Sequence, residues 1–317
     1  MEVAIQETVE PTQSTYADYR ETTDNAAPKT VDLQADLARL NSMGLLSRLL
    51  EDKTTGKNIT WATDQYVSRG HMYAQDQPIR PELILGVVRD VVRARADKSR
   101  DEQLRRTRTK GEVFTPIWVV GKMTAHILED AHRSAKNWKQ FVDFRMLEIT
   151  CGEGPFLATR YDTETGRIIP LNERVGLLDA KLREVTDQAE DEQTWIKWAI
   201  RAYESTYGYE YQGDSLLIAR VNMVMTFIEY YEAAWSTTPD NKLLRDISNV
   251  VAWNLWQMDG LTGRTPTTTT STAPVFRQIS IFDNAEVEPR PSLEHVECRI
   301  FDWRADRSQK WSDFIDR

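Results

Sequence analysis

Cysteine, long apolar runs and Pro-Pro dipeptides are scarce or missing in this 317-residue sequence. Two cysteines are too few for a disulfide scaffold or a zinc ribbon. No stretch of about 18 apolar residues occurs, so no transmembrane helix and no membrane partner is predicted. The acidic first residues lack the apolar run of a secretory signal, so we expect a cytoplasmic protein. His126 and His132 are poorly spaced for a shared metal ion on a helix, and no metal site is predicted.

The charge is negative overall and uneven along the chain. The net charge is −9, which argues against wholesale electrostatic binding to nucleic acid. Residues 80–110 nevertheless hold ten lysines and arginines against five acids, a local net charge of +5 that leaves −14 on the rest. Such a segment is either a nucleic-acid contact or a solvated helix face. The arginines expected to face DNA are Arg93, Arg100, Arg105, Arg106 and Arg108.

Apolar periodicity predicts alternating helices and strands over much of the chain. Helices are predicted over residues 31–50, 81–106, 117–132, 179–203 and 215–235. Strands are predicted at 144–150, 207–211 and within 247–260. This order favours an open α/β sheet with crossover helices. Composition predicts a disordered segment over residues 1–30 and a Thr-rich linker or loop over 262–274.

Glycines or acids stand where each predicted strand ends. The first strand runs into Cys151-Gly152-Glu153-Gly154, where the glycines allow a ligand to approach the backbone and a following helix start would offer amide groups. Glu210 ends the second strand, where an acid can accept hydrogen bonds from ribose hydroxyls. Asp259 and Gly260 follow the third strand, and Asp259 can accept from an exocyclic amine. Taken singly, each group is more often an ordinary turn or surface residue, but their shared order is typical of a nucleoside site.

Four motifs give the sequence a specific resemblance over roughly residues 45–303. GEVFTPIWVV, completed by Met123, resembles the "FTP..VV..M" motif of the adenine-specific DNA methyltransferases of bacterial restriction–modification systems, their modification subunits included. LEITCGEGPFL resembles that family's "DPACGSGGFL" turn, and YGYEYQGDSLLIAR resembles its "GIEID..A..LAR" strand and helix. The segment NLWQMDG resembles the motif that follows.

The resemblance implies an α/β fold: an incomplete Rossmann-like, S-adenosylmethionine-dependent methyltransferase core with a helical N-terminal region. The helical region with its basic helix would cover residues 31–110, the cofactor-binding core 111–261, and a C-terminal extension leading toward a missing catalytic loop 275–317. Glu210 would take the ribose of S-adenosylmethionine, and Asp259 its adenine. The expected cofactor-binding residues are Phe114, Thr115 and Pro116 on the methionine side, Glu148, Cys151, Gly152, Gly154 and Phe156 in the turn, and Glu210 and Asp259.

The family's catalytic Asn/Asp-Pro-Pro-Tyr/Phe motif has no counterpart here. None of the twelve prolines forms a Pro-Pro pair, so no catalytic residue is predicted and the chain alone is expected to be inactive. The resemblance then implies the N-terminal part of such an enzyme, partnered with DNA and with a second polypeptide that carries the catalytic loop and the recognition domain. Two other interpretations stay open: a non-catalytic subunit that acts in DNA binding or assembly, and a methyltransferase for small molecules.

Overall fold

The protein is described from a computed structural model over residues 29–86, 91–110, 115–266, 268–269 and 293–315. The predicted disordered segment 1–30 lies outside these residues except for 29 and 30, and residues 267 and 270–274 of the predicted linker 262–274 lie outside them as well. The helices are α1 (Leu33–Ser42), α2 (Leu46–Leu50), α3 (Pro81–Ile84), α4 (Arg100–Lys110), α5 (Ile117–Ser134), α6 (Trp138–Val142), α7 (Leu177–Gln188), α8 (Glu192–Glu204), α9 (Gly213–Trp235), α10 (Asn241–Asn254) and α11 (Trp311–Ile315). The strands are β1 (Met146–Ile149), β2 (Thr206–Glu210), β3 (Leu255–Gln257), β4 (Thr268–Thr269), β5 (Leu293–Glu294), β6 (Arg299–Asp302) and β7 (Arg307–Lys310).

The centre of the molecule is a three-stranded parallel sheet with the order β1-β2-β3. Parallel neighbours need crossover connections. Helices α7 and α8 connect β1 to β2, and α9 and α10 connect β2 to β3. All five residues of β2 are buried, as expected for the middle strand of a covered sheet. The expectation of an α/β sheet with crossover helices is therefore confirmed as a small parallel sheet flanked by helices.

One helix fills most of the core on the first face of the sheet. Eighteen of the 23 residues of α9 are buried, and they lie all around the helix rather than along one stripe. A helix that is apolar on every side belongs in the interior. Helices α1, α2 and α10 pack around α9 and join one continuous core with it. Among the described residues, no helix is long and apolar enough to cross a membrane.

The second face of the sheet is only partly covered. Tyr207, Tyr209 and Trp256 form a buried cluster with Cys298 and Ile300, beneath the antiparallel β6–β7 hairpin. On β1, by contrast, Leu147 and Ile149 are 42% and 53% exposed. Within the described ranges, β1 pairs only with β2, so its outer edge carries unpaired backbone groups. The sheet thus ends in an open strand with a bare apolar face.

Three predicted helices differ from the structure. The helix predicted over 81–106 is broken: α3 ends at Ile84, Gly86 takes a left-handed φ of +73°, and α4 begins only at Arg100. The helix predicted over 31–50 divides into α1 and α2 near Gly44, whose φ is +70°. That predicted over 179–203 divides into α7 and α8, where Asp191 caps the second helix.

The strand predicted within 247–260 is mostly helix. Helix α10 continues to Asn254, and only Leu255–Gln257 pair with β2. The side chain of Asp240 accepts a hydrogen bond from the Leu243 amide (2.7 Å) and caps the helix start. Its buried residues recur at helical rather than strand spacing: Leu243, Leu244, Ile247, Val250 and Val251. The many apolar residues of this segment therefore form the buried face of a helix.

Arg220 ties the core helix to two neighbouring elements. Its fully buried guanidinium donates to the carbonyl oxygens of Leu49 and Glu51 at the end of α2, and to those of Ala252 and Leu255 between α10 and β3. Burial lowers the pKa of Arg220 to about 10, so the group stays charged at neutral pH. One side chain thus satisfies four backbone acceptors, three of them in fully buried contacts.

Replacing Arg220 by Met should lower the free energy of unfolding by about 2–4 kcal/mol, because each buried acceptor left without a donor costs about 1–3 kcal/mol and relaxation recovers part of it. Urea denaturation followed by circular dichroism measures the change. The control is Arg133→Met on the exposed face of α5, expected to change the free energy by less than about 0.5 kcal/mol. Equal effects of the two substitutions would contradict this role for Arg220.

Candidate functional site

Three loops converge at the carboxyl edge of the parallel sheet. The amide of Cys151, just after β1, donates to the carbonyl of Tyr209 (2.7 Å). The amide of Met258, just after β3, donates to the carbonyl of Glu210 (3.0 Å). We name residues 150–154 the glycine turn, 210–212 the second loop and 258–262 the third loop. The carboxyl edge of a parallel sheet is where open α/β proteins bind ligands.

The glycine turn has the backbone that its sequence suggests but lacks the expected helix. Gly152 and Gly154 take φ values of +57° and +82°, a region that glycine enters at little cost. No heavy atom of the described residues, apart from the neighbours of Gly152 in the chain, lies within 4 Å of the position that a Cβ on Gly152 would occupy. The predicted helix start after the turn is wrong: the next α-helix begins at Leu177. Phe156 is half-buried in the following bends, where its carbonyl accepts from the Leu177 amide (2.8 Å).

The carboxylate of Glu210 joins the glycine turn to the second loop. One oxygen accepts a hydrogen bond from the Gly152 amide (2.8 Å), and the other accepts from the Gln212 amide (2.9 Å). Glu210 is buried at the end of β2. A carboxylate is an acceptor of the kind that hydroxyl donors bind. The predicted acid therefore also shapes the loops around it.

Glu148 lies near Glu210 on the same face of the sheet. Its Oε2 atom is buried and has no hydrogen-bond partner among the described residues. Burial raises the pKa of Glu148 well above its usual value, and the negative charge of Glu210 raises it further. Two carboxyl groups this close favour a protonated Glu148. A protonated carboxyl can donate a hydrogen bond as well as accept one.

Cys151 is a packing residue rather than a nucleophile. The side chain is buried, and burial together with the charges of Glu148 and Glu210 raises the pKa of its thiol well above the usual value. A nucleophilic cysteine needs the opposite shift. A Cβ added to Gly208 would lie 3.1 Å from the Cys151 sulfur, so the thiol rests directly on the backbone of β2.

The third loop presents an acid between exposed apolar groups. The Oδ1 atom of Asp259 accepts from the amides of Leu261 (2.8 Å) and Thr262 (3.3 Å) and so caps its own turn. Leu261 is 87% exposed, and Tyr211 at the end of the second loop is 40% exposed. Partial burial and then the charge of Asp259 raise the pKa of Tyr211, so the ring lies near that carboxylate. Sequence reasoning missed Tyr211 and Leu261, although each closely follows a predicted acid.

The third loop reaches across the carboxyl edge of the sheet to β1. A Cβ added to Gly260 would lie 2.5 Å from Cγ2 of Ile149, so the third loop packs on the last residue of β1. The glycine turn, Glu210 and Asp259, which the sequence places at the ends of three strands, therefore lie close together at the carboxyl edge of the sheet. Carboxyl groups, a glycine-containing turn and exposed apolar side chains are thus brought together there.

The predicted methionine-side residues are not joined to these loops. Phe114 lies outside the described residues. Thr115 and Pro116 are half-buried before α5, and the Pro116 carbonyl accepts from the Val119 and Val120 amides. No hydrogen bond of the described residues links Thr115 or Pro116 to the glycine turn, the second loop or the third loop. Their role stays a prediction.

The basic segment divides between surface and interior. Arg100 and Arg108 are exposed. Arg93 is half-buried and forms an ion pair with Glu102 (2.7 Å), and the side chain of Arg105 lies outside the description. The prediction that Arg106 faces DNA is wrong: its side chain is fully buried and forms an ion pair with Asp214 (2.9 Å). A buried guanidinium requires such a partner, and Asp214 supplies it from α9.

Comparison with protein-family models, with curated proteins and with solved structures found no match. Among the described residues, no group of three or more His, Cys, Asp or Glu side chains is arranged to hold a metal ion. The arrangement can offer acceptors to a diol and an amine, and an apolar surface to a flat ring. These are the requirements of a nucleoside.

Glu148 makes a testable contribution to the pH dependence of stability. A carboxyl whose pKa is raised by folding stabilises the protein below its unfolded pKa and loses this contribution as pH rises through the folded value. The wild type should therefore lose stability relative to Glu148→Gln as pH rises above about 4.5, the usual value for glutamate.

Urea denaturation of both proteins from pH 4 to 8 measures this difference. Glu129→Gln on the exposed face of α5 is the control and should follow the wild type at every pH. A constant difference between wild type and Glu148→Gln across the range would contradict the buried, proton-binding state of Glu148.

Proposed function

We propose that this chain is the S-adenosylmethionine-binding portion of a DNA adenine methyltransferase of a restriction–modification system. The observation that carries the proposal is the carboxylate of Glu210, which fastens the glycine turn to the second loop at the carboxyl edge of a parallel sheet. The motif resemblance supports the same assignment, since its acid and its glycines are the residues that this contact brings together.

The residues at the edge fit the parts of the cofactor. The Glu210 carboxylate is an acceptor of the kind that ribose hydroxyls bind, and the space that the described residues leave beside Gly152 has room for a ligand against the backbone. Asp259 offers an acceptor for the adenine amine, and Tyr211 and Leu261 offer exposed apolar surface for the ring. Glu148 carries a buried oxygen without a partner, a group that a bound ligand can satisfy.

The proposed reaction is methyl transfer to the amino group of adenine in DNA. S-adenosylmethionine supplies an electrophilic methyl group when it is bound. The residues of this chain bind and orient it: Glu210 fixes the ribose, and Asp259 fixes the adenine. In-line placement of the target amine contributes most of the acceleration in such a transfer. We assign that placement to an Asn-Pro-Pro-Tyr-type loop from outside these 317 residues, which contain no Pro-Pro pair.

The open edge of β1 supports the proposal that a second polypeptide binds this chain. Unpaired backbone groups on Met146–Ile149 can pair with an added strand. Leu147 and Ile149 would then be covered by side chains of that partner, which removes exposed apolar surface. The proposed partner therefore contributes both a strand and the catalytic loop.

The DNA-facing surface is proposed on the exposed side of the basic segment. Arg100 and Arg108 carry it, with Arg93 and Arg105 as further members from the sequence prediction. Arg106 is excluded because it is buried. The surface then holds fewer cations than the sequence suggests, which fits a supporting contact to phosphate rather than the whole of DNA recognition.

A non-catalytic subunit is the second candidate. The missing Pro-Pro pair favours it, because such a subunit could bind the cofactor or DNA without a catalytic loop. The two candidates agree on cofactor binding and differ on whether methyl transfer follows when a loop-bearing partner is added.

Substitution of Glu210 by Ala should weaken S-adenosylmethionine binding by about 1–3 kcal/mol, because the ribose hydroxyls lose a buried charged acceptor. Isothermal titration calorimetry measures the affinity, and thermal unfolding checks that the variant is folded. Glu129→Ala is the matched control on α5 and should bind like the wild type. Equal affinities of wild type and a folded Glu210→Ala would remove the ribose assignment.

Charge reversal of Arg100 and Arg108 to Glu should weaken DNA binding and reduce its salt dependence. Each phosphate contact contributes a slope of about −0.9 to the plot of log affinity against log salt. Fluorescence anisotropy with a labelled duplex at several salt concentrations measures both quantities. Reversal of Arg133, which is exposed on α5 away from this segment, is the control. An unchanged slope would indicate that the basic segment is a solvent-exposed surface that does not contact DNA.

The test of the reaction is a radiolabelled methyl-transfer assay on mixed-sequence DNA. The chain is assayed alone and together with the product of the adjacent downstream gene. We expect no transfer by the chain alone and transfer on mixing. Robust methyl transfer by the purified chain alone would overturn the two-polypeptide assignment. No methyl transfer in either assay would favour the non-catalytic subunit.

A further inference from the structure

Two cations of the basic segment point inward rather than toward solvent. Lys98 lies just before α4 and Arg106 lies within it, and both side chains are buried. Among the described side chains of α4, Arg106 is the buried one, while Leu104 is largely exposed. The described part of α4 thus adds no apolar side chain to the core. Charged contacts, rather than apolar packing, hold it against the protein.

Lys98 contacts the glycine turn. Its ammonium lies 3.7 Å from the carboxylate of Glu153, which stands between Gly152 and Gly154. The other oxygen of Glu153 accepts from the Tyr161 hydroxyl (2.7 Å), and the Glu153 carbonyl accepts from the Asn222 side chain of α9 (3.1 Å). The middle residue of the turn is therefore fixed on three sides.

Arg106 contacts the chain just after the second loop. Both of its terminal nitrogens donate to one oxygen of Asp214 (3.0 and 2.9 Å), which also accepts from the Tyr66 hydroxyl (2.6 Å). Asp214 lies in the first turn of α9, two residues after Gln212, whose amide donates to Glu210. Arg106 therefore anchors the segment that holds one side of the Glu210 carboxylate.

The two contacts form one balanced group of buried charges. Burial alone would raise the pKa of Asp214, but the charges of Arg106 and Lys98 bring it below its usual value, so Asp214 is ionised. Lys98 therefore influences Asp214 as well as Glu153. Removal of either cation takes a compensating positive charge away from the buried carboxylate that it contacts, which favours movement of the loop that carries this carboxylate toward water.

We propose that Lys98 and Arg106 are positioning residues that clamp the glycine turn and the start of α9 in the geometry that binds the cofactor. The inference rests on the proposed function for the identity of the ligand, but the clamp itself is a property of the ligand-free chain. As a consequence, the segment that presents Arg100 and Arg108 to solvent also holds the glycine turn and the start of α9 in position.

The test uses the full chain and a pair of charge-neutralising variants. Lys98→Met with Glu153→Gln removes both charges of one contact, which avoids an unpaired buried charge and keeps the protein folded. The matched control is Arg93→Met with Glu102→Gln, an ion pair of the same region that touches no cofactor loop. Lys98→Arg keeps the cation and is the conservative rescue. Thermal unfolding verifies that each variant is folded.

Two measurements are made on every variant. Hydrogen exchange of the ligand-free chain reports on peptides covering residues 150–157 and 211–217, and calorimetry measures the affinity for S-adenosylmethionine. In the Lys98 and Glu153 variant we expect exchange at least fivefold faster in residues 150–157 and binding at least tenfold weaker. The Arg93 and Glu102 variant and Lys98→Arg should stay within about threefold of wild type in both measurements.

The outcomes separate this inference from the proposed function. If the wild type binds S-adenosylmethionine and the Lys98 and Glu153 variant matches it in exchange and affinity, the clamp is overturned. If the wild type does not bind the cofactor, the proposed function fails, and exchange alone decides the clamp: faster exchange in residues 150–157 supports it, and unchanged exchange overturns it. A general increase of exchange in every peptide, with a lowered melting temperature, would also overturn it, because the effect would then be loss of the whole fold.

Discussion

The hydrogen bonds that Glu210 accepts from Gly152 and Gln212 are the contacts on which the site depends. They bring two loops that are distant in sequence to one carboxylate, at the end of the buried middle strand. Burial makes the bonds strong, since water does not compete for the carboxylate, and it also makes their loss costly. This carboxylate therefore links the glycine turn to the start of α9.

Buried charge surrounds that carboxylate in a balanced pattern. Behind the loops, Lys98 and Arg106 offset Glu153 and Asp214. Beside it, burial and the neighbouring charge of Glu210 raise the pKa of Glu148 well above its usual value. The Glu210 carboxylate lies at an edge where Tyr211 and Leu261 offer apolar surface. Such a combination suits a ligand with a diol and a flat ring.

Local sequence predicted the parts of this arrangement that depend on local pattern. The strands at β1 and β2 follow from short apolar runs that end in a glycine turn or an acid, and α9 follows from a long apolar segment. Helix α10 was missed as a helix because its apolar residues run without a break into β3. The burial of Arg106 could not be predicted, because its partner Asp214 lies 108 residues away. Glu153 was likewise unremarkable in sequence, since its role depends on Lys98 folding back onto the turn.

The central claim is that the three loops at the carboxyl edge bind a nucleoside cofactor, and a crystal structure of the chain with S-adenosylhomocysteine tests it most directly. The account predicts the ribose hydroxyls within hydrogen-bond distance of the Glu210 carboxylate, the adenine amine at Asp259, and the ring against Tyr211 and Leu261. A ligand bound elsewhere on the chain, or bound at this edge without contact to Glu210, would contradict the account.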